Sequence, residues 1–540
     1  MNIKYSFLLF LLLSPFFGIG QDAGKDTVLR ESVIEVLQSY KPKVRQAPKP
    51  EWMPQLPPAD TTHPVFKYIV PQQSLYYSYH SDPLKPLALG KDTLPTPLPN
   101  YIKAGVGNLY TLFLDAGIGS FATPDYETFI HVHHISQKAP TKFEQSALTG
   151  IETEGFWHKD NNEWHATLNG ERNQYYYYGY NHNLYDYSNS DSLKQTFTLI
   201  KANVDYKRKE IGDSKFDYQP GITASYYGAK FSTNELNLGF ILPFSYDIDT
   251  AYQAHFNISG AVTSLKTDSP AIANNFIQFT PGLNINKGLL SGHSNIGLGI
   301  GKNGLVSILP DIEGDFKLSG TDFILSGGWM ASIKQNTFEQ LSNDNPYINS
   351  IYQLKQTRFD EIFVKMTGYY GSFNFSAKAS WCNLKSLPTY LDTNGDGKQF
   401  NVVYDTVSAI FFQLGAKYIM ANNYTIGLTG NFYEFYQGTE QYPWHIPNMK
   451  IKGDFAIKPI PKLTITAYLS LLSGIHAIDL NKKVVNLKTL TDIGCNAEYM
   501  INTQFNAFLQ INNMLNSNNE RWLGYNAYGI NVYAGVRMKF

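Results

Sequence analysis

The sequence predicts an all-β transmembrane protein: an antiparallel β-barrel of about 22 strands, preceded by a short proline-rich extension. Three observations carry this. The final eleven residues alternate apolar and polar without a break. The same alternation recurs from residue 101 to the end. Connections between the alternating segments are tight and long by turns, the pattern of a barrel with short periplasmic turns and longer external loops.

Residues 530–540 read INVYAGVRMKF. Ile530, Val532, Ala534, Val536, Met538 and Phe540 are apolar, and Asn531, Tyr533, Gly535, Arg537 and Lys539 fall between them. A strand sends successive side chains to opposite faces, so one face is wholly apolar and the other mostly polar. Eleven tilted residues at ~3.3 Å each cross a bilayer once. A soluble edge strand could alternate too, but many such segments in series fit a barrel better. Phe505, Ala507, Leu509 and Ile511 oppose Gln504, Asn506, Gln510 and Asn512, with Phe508 the exception. Ile493, Cys495, Ala497 and Tyr499 oppose Asp492, Gly494, Asn496 and Glu498. Leu463, Ile465, Ala467, Leu469 and Leu471 oppose Thr464, Thr466, Tyr468 and Ser470.

Strands are expected at about 101–107, 109–121, 126–136, 144–158, 162–180, 193–210, 214–231, 234–248, 250–266, 273–287, 291–302, 305–318, 320–334, 356–370, 372–385, 399–419, 422–436, 446–458, 462–476, 486–501, 503–515 and 527–540. Merging the first strand or the pair around Gly301 to Gly304 would reduce the count to 18 or 20. If Phe540 ends in the periplasm, counting backward places tight turns such as 459–462, 421–423 and 249–251 on that side. The longer connections, such as 517–526, 437–445, 335–355 and 181–192, fall outside. Turns near Asn108, Thr233 and Asn303 are short external exceptions.

Composition agrees. The 540 residues carry 38 Tyr and 34 Phe but only 16% charged residues, a pairing that suits aromatic girdles at two membrane interfaces. The formal net charge of −1 gives no field to steer the chain to nucleic acid. Residues 1–20 read as a signal peptide, with Lys4 before an apolar run from Phe7 to Phe17, and with Gly18 and Gly20 placed for cleavage before Gln21. Export to the outer membrane of a Gram-negative bacterium follows. Residues 21–100 form the extension: thirteen of the 27 prolines lie between Pro42 and Pro99, which excludes a central strand or a long helix. It is read as periplasmic or tucked into the barrel, or as a plain linker. Cys382 and Cys495 are expected to be free thiols far apart, Cys495 facing lipid.

The stretch Phe505 to Phe540 resembles the C-terminal end of TonB-dependent receptors. The matching residues are Asn512, Asn513, Met514, Leu515 and Asn516, then Gly529, Ile530, Val532, Gly535 and Phe540. Phe540 is similar to the terminal signal read by the barrel assembly machinery. Val28 to Leu37 (VLRESVIEVL) is similar to the hydrophobic segment that opens a receptor plug, with Val28, Leu29, Val33, Ile34 and Val36 as its apolar residues. YIKAGVGN at Tyr101 resembles the start of the barrel in plug-less, receptor-like proteins of Bacteroidetes-type bacteria. The resemblance implies uptake of a solute, with outer-membrane lipid, the assembly machinery and a periplasmic energy-coupling protein as partners. A full plug does not fit between Gln21 and Tyr101, so the extension would be a vestigial one.

Other motifs are local. Asp392, Asn394, Asp396 and Gly397 resemble the first half of a calcium loop, although its twelfth position is Val403 rather than a carboxylate. An external turn rich in turn-forming residues explains them equally simply. His131 and His133 share a strand face and could pinch a metal, or simply line a polar lumen, with His134 breaking the pattern. Tyr175 to Tyr178, Tyr180, Tyr185 and Tyr187 cluster at an external strand end and read as an interfacial girdle, or as a platform for sugars. No nucleophile elbow, phosphate loop or paired-carboxylate spacing stands out, so the chain is expected not to be an enzyme and to hold no cofactor beyond the calcium candidate. The expected function is solute uptake. The alternatives are a passive channel and a non-transporting accessory or scaffold barrel. A barrel this wide leaks unless blocked, so the extension or the external loops are expected to obstruct it.

Overall fold

A computed structural model describes residues 100–540, apart from residues 124, 209–214, 231–232, 269, 321, 421–423 and 437. Every long segment with period-two alternation forms a strand, because only a barrel lets both faces of one ladder meet different solvents. In order they are β1 (Tyr101–Gly107), β2 (Leu112–Ala122), β3 (Tyr126–Lys138), β4 (Gln145–Lys159), β5 (Asn162–Tyr176), β6 (Lys194–Arg208), β7 (Phe216–Tyr218 and Gly221–Ala229), β8 (Asn234–Asp247), β9 (Tyr252–Lys266), β10 (Ile272–Ala273 and Phe276–Lys287) and β11 (Leu290–Ile300). They continue as β12 (Val306–Lys317), β13 (Phe323–Gln335), β14 (Gln356–Tyr370), β15 (Phe373–Leu391), β16 (Asn401–Met420), β17 (Tyr424–Tyr436), β18 (Met449–Ile460), β19 (Leu463–Ser473), β20 (Leu490–Met500), β21 (Phe505–Asn512) and β22 (Asn531–Lys539). Each pairs antiparallel with its neighbours, and β1 pairs with β22 from Tyr101↔Lys539 to Gly107↔Tyr533. The sheet is a closed barrel of 22 strands, the expected number.

Closure is reinforced by the side chains of Asn531 and Asn108. The Asn531 amide donates to Thr111 Oγ1 at 2.7 Å and to Asn108 Oδ1 at 3.1 Å. Asn108 Oδ1 also accepts from Val532 N at 2.7 Å. The first hairpin is thereby tied to the last strand, whose own alternation holds: Val536 and Met538 face outward, Arg537 inward beside Glu498 at 3.5 Å.

The outer surface carries the expected apolar band, including Leu168, Ile222, Val262, Ile362 and Leu414. Outward aromatics gather at the tight-turn end: Trp157, Trp164, Tyr246, Phe316, Tyr370, Phe373 and Tyr499 are all exposed there. An aromatic ring next to short turns marks the periplasmic interface. Phe508, the exception to alternation in β21, points inward and is buried beneath the Lys103 ammonium, 4.2 Å from its ring centroid. A cation over a ring face gives an apolar side chain a satisfied place on a wet wall. Cys382 and Cys495 are both free.

At the opposite end the strands run long. β15 and β16 hold 19 and 20 residues, against the ~9–11 that span a bilayer. β15 passes the expected end at residue 385 because a bulge, with Ser386 at φ 57°, restores pairing at Leu387↔Asp405. These extensions stand clear of the hydrocarbon and carry the long loops.

Candidate functional site

The external loops fold inward and pack on one another. Residues 177–193, 336–355, 392–400 and 513–530 contribute Tyr178, Phe338, Leu341, Ile348, Leu354, Phe400, Trp522 and Tyr525 to one buried cluster with the strand residues Phe197, Tyr227 and Tyr390, and residues 438–448 add the buried Trp444 and His445. Each large apolar side chain buried this way stabilises by roughly 1.5–3 kcal/mol, so the loops form a lid with its own core.

The lid is built from local rules. Its α-helix, α1 (Phe338–Asp344), is capped by Thr337, whose Oγ1 accepts from Gln340 N at 3.2 Å. The buried Glu235 carboxylate, from the start of β8, accepts from Phe338 N at 2.6 Å and Glu339 N at 3.3 Å. This satisfies donors that every helix start leaves open. Ser342 Oγ donates to Tyr227 OH at 2.7 Å, fixing the buried side of α1 to the wall.

Tyr525 sits at the centre. It stacks on Tyr347 with centroids 3.5 Å apart and meets Tyr178 edge-on at 4.9 Å. Its hydroxyl donates to Lys398 O. Gly179 passes directly against this ring, where a Cβ has no room, and Gly524 at φ 84° packs on the Gly179 carbonyl. Trp522 meets Tyr390 edge-on at 5.0 Å and His445 at 5.3 Å. His445 is buried, donates from Nδ1 to Tyr390 O at 2.7 Å and accepts at Nε2 from Leu523 N at 3.3 Å. Those partners fix the neutral Nδ1–H tautomer. Burial, with Arg521 nearby, pushes its pKa down to about 4.

Here the structure corrects the reading of the tyrosine cluster. Tyr177, Tyr178 and Tyr180 are 1%, 7% and 3% exposed; Tyr178 belongs to the lid core, and Tyr177 and Tyr180 form a second buried cluster with Leu193 rather than an outward girdle. Chain beyond Tyr176 leaves the barrel wall and turns over the lumen, so these rings meet other loops instead of lipid. Tyr185 remains exposed.

Between lid and wall lies a cavity of about 470 Å³, within the roughly 300–1,000 Å³ usual for ligand pockets. The lid contributes Tyr347, Arg521, Trp522, Tyr525 and Tyr528, and the wall Tyr468, Asp492, Asn512 and Asn531. Asp492 accepts from Asn513 N at 2.9 Å, and the Tyr468 hydroxyl lies 3.2 Å from both Asp492 Oδ2 and Asn512 Oδ1. The asparagines of the C-terminal motif have distinct tasks. Asn512 lines the cavity. Asn513, at φ 47°, donates its amide to Ser517 O and Tyr528 O at 2.8 and 2.6 Å. Asn516, at φ 50°, accepts from Ile530 N at 2.8 Å. Asn tolerates the left-handed conformation through such local bonds, so the motif shapes the last loop over the cavity.

The other sequence candidates fall elsewhere. His131 and His133 share the lumenal face with ring centroids 5.4 Å apart, and His131 bonds Asp115 at 2.9 Å and lies 3.6 Å from Glu152. His165 stands between Asp205 and Glu154, each at 2.9 Å. His134 faces the other way and meets Thr149 at 2.8 Å. Among the described residues no group of three or more His, Cys, Asp or Glu is arranged to hold a metal ion. Asp392 turns its two oxygens onto Gly395 N and Gly397 N at 2.8 and 2.7 Å, and Asp396 accepts from Lys398 N at 2.8 Å. Those bonds make the segment a self-capped turn. Val403, at the twelfth position, pairs with Thr389 in the β15–β16 ladder. Phe540 ends the chain half-exposed, its amide donating to Asn100 O at 2.9 Å. The segment with Val28, Leu29, Val33, Ile34 and Val36 lies outside the described residues.

No family model and no curated protein matches the chain. Solved structures do. The FrpB iron transporter from Neisseria meningitidis (F3-3 variant) aligns with a TM-score of 0.63 at 11% identity, over 82% of this chain and 81% of that one. The fold is that of the TonB-dependent receptors. The siderophore receptor PirA from Acinetobacter baumannii gives 0.61 at 10% identity, over 82% and 80%, and the copper transporter OprC 0.60 at 10%, over 82% and 81%. All three are named as transporters or receptors, none as an enzyme. At these identities the receptor fold is shared through the period-two barrel pattern rather than through common side chains.

Proposed function

We propose that the chain is an outer-membrane receptor of a Gram-negative bacterium that takes up a small solute through its 22-stranded barrel. The observation that carries this is the cavity of about 470 Å³ held between a loop-built lid and the lumenal wall. A solute from outside would meet the lid first and settle against aromatic and amide side chains. Neighbours named as an iron transporter, a copper transporter and a siderophore receptor supply the precedent of this fold taking up a small solute. Lipid holds the outer apolar band, the assembly machinery reads Phe540, and the segment Val28 to Leu37 engages a periplasmic energy-coupling protein.

A passive channel fits less well, because packed loops cover the mouth. The accessory-barrel reading has one observation in its favour: the lid has a buried core like that of a small domain, as a permanently closed scaffold would. The test is capture. The full chain, and a variant lacking residues 28–37, are presented to the purified periplasmic domain of an energy-coupling protein. A receptor binds it and the deletion does not. If neither binds, and the full chain copurifies with other outer-membrane proteins while passing no current in planar bilayers, the accessory reading replaces the receptor.

A further inference from the structure

Two opposite charges line the cavity without meeting. Arg521 has a single hydrogen bond among the described residues, from Nη1 to His445 O at 2.8 Å. Its guanidinium lies over Trp522, 4.1 Å from the ring centroid. No carboxylate among the described residues comes within ion-pair distance of it; Asp344 attracts it only through space. A guanidinium has five donors in a planar fork, so on the half-buried Arg521 most of them remain for a ligand to take up. Asp492 is the counterpart. It accepts from Asn513 N and lies within reach of the Tyr468 hydroxyl, but pairs with no cation among the described residues. A carboxylate offers about four acceptor positions, so capacity remains on the cavity side. The two residues face one space from opposite structures: Arg521 from the lid, Asp492 from β20 in the wall.

We infer that the cavity takes a zwitterionic solute, a short peptide with free ends, its carboxylate at Arg521 and its ammonium at Asp492. A ligand bearing only negative charge would sit against Asp492, and one bearing only positive charge against Arg521. A neutral ligand would leave both charges unpaired. Tyr347 and Tyr528, both only half-buried, also line the cavity and supply surface for peptide planes and side chains. This inference rests on the reading of the barrel as a solute receptor, and names the class of cargo.

The test uses the full chain in detergent micelles, with binding followed by tryptophan fluorescence and calorimetry. The probes are tri-alanine, N-acetyl-tri-alanine and tri-alanine amide. Tri-alanine is expected to bind at least about tenfold tighter than either blocked form, since each block takes the partner away from one cavity charge. Arg521→Gln should bring tri-alanine down to the level of the amide, and Asp492→Asn should bring it down to the level of the acetylated form. Heat-modifiable electrophoretic mobility confirms that each variant keeps its barrel, and the wild-type comparison of probes stands without any variant. Equal binding of all three probes overturns the zwitterion assignment while leaving a ligand-binding receptor. Binding of none, with the energy-coupling domain still captured, overturns the assignment alone. Binding of none together with failed capture overturns both.

Discussion

Acid should open the lid, and His445 sets where. Its ring is buried in the lid core, neutral, with Nδ1 donating to Tyr390 O and Nε2 accepting from Leu523 N. Protonation would turn Nε2 into a donor facing another donor, and place a cation beside Arg521. A histidine in an opened lid titrates near its ordinary 6.5, whereas in the closed lid burial holds it to about 4. The open lid thus takes up the proton first as pH falls. The closed lid keeps its full advantage above about pH 6.5, loses it progressively between 6.5 and about 4, and loses no more from this group below that. At about 1.4 kcal/mol per pH unit, the gap is worth about 3 kcal/mol, comparable to removing one large core side chain. The assay is the pH dependence of protease cleavage within residues 437–448 and 513–530, with bilayer conductance in parallel. His445→Asn is the matched variant, because asparagine tolerates the φ of 59° at this position. It should flatten the response between pH 6.5 and 4. His476, whose pKa burial also lowers, is replaced in turn to measure its share. A wild-type lid that stays closed to pH 4, or a His445→Asn lid with an unchanged profile, would refute the reasoning.

Other perturbations have defined outcomes. Gly179→Val should drive a side chain into the Tyr525 ring and destabilise the lid by roughly 1–3 kcal/mol, seen as faster proteolysis of the loops with the barrel intact. Glu235→Ala removes the carboxylate that accepts from two α1 amides and should cost about 1–2 kcal/mol, read by hydrogen exchange confined to residues 336–345. Trp522→Ala should cost the lid roughly 3–5 kcal/mol and, if the lid is the seal, raise single-channel conductance. Asn531→Ala should loosen the β1–β22 seam by about 1–3 kcal/mol, lowering the temperature at which the folded band is lost in electrophoresis. A calcium titration of the full chain should leave loop proteolysis unchanged, since Asp392 and Asp396 already bind backbone amides; protection abolished by Asp392→Asn would instead establish the calcium loop.

The barrel was readable from sequence because its rule is local. Period-two alternation needs only neighbouring residues, and it located all 22 strands, including β1 and the pair flanking Gly301 to Gly304. Even Phe508 was visible as a break in the pattern, though not the ammonium above it. The lid was not readable. Tyr178, Tyr347 and Tyr525 meet in one stack, yet well over a hundred residues separate each from the next, and no spacing rule links them. The tyrosine cluster was therefore assigned to the interface, where aromatics usually go, and the real girdle formed at the tight-turn end. Arg521 and Asp492 carried no signal at all. A lone arginine in a loop and an aspartate on a lumenal face look ordinary until the fold sets them around one cavity.

The pairing of β1 with β22 has a consequence for how the molecule comes into being. Tyr101 meets Lys539 across more than four hundred residues, a separation at which chain entropy makes spontaneous encounter slow. Until β22 has been synthesised and delivered, β1 exposes an unsatisfied row of amides and carbonyls that hydrocarbon cannot tolerate. Translation stopped before residue 531 would therefore yield no smaller pore, but an open-edged sheet fated for aggregation or degradation. A frameshift ahead of β22 should therefore be as damaging as loss of the whole barrel.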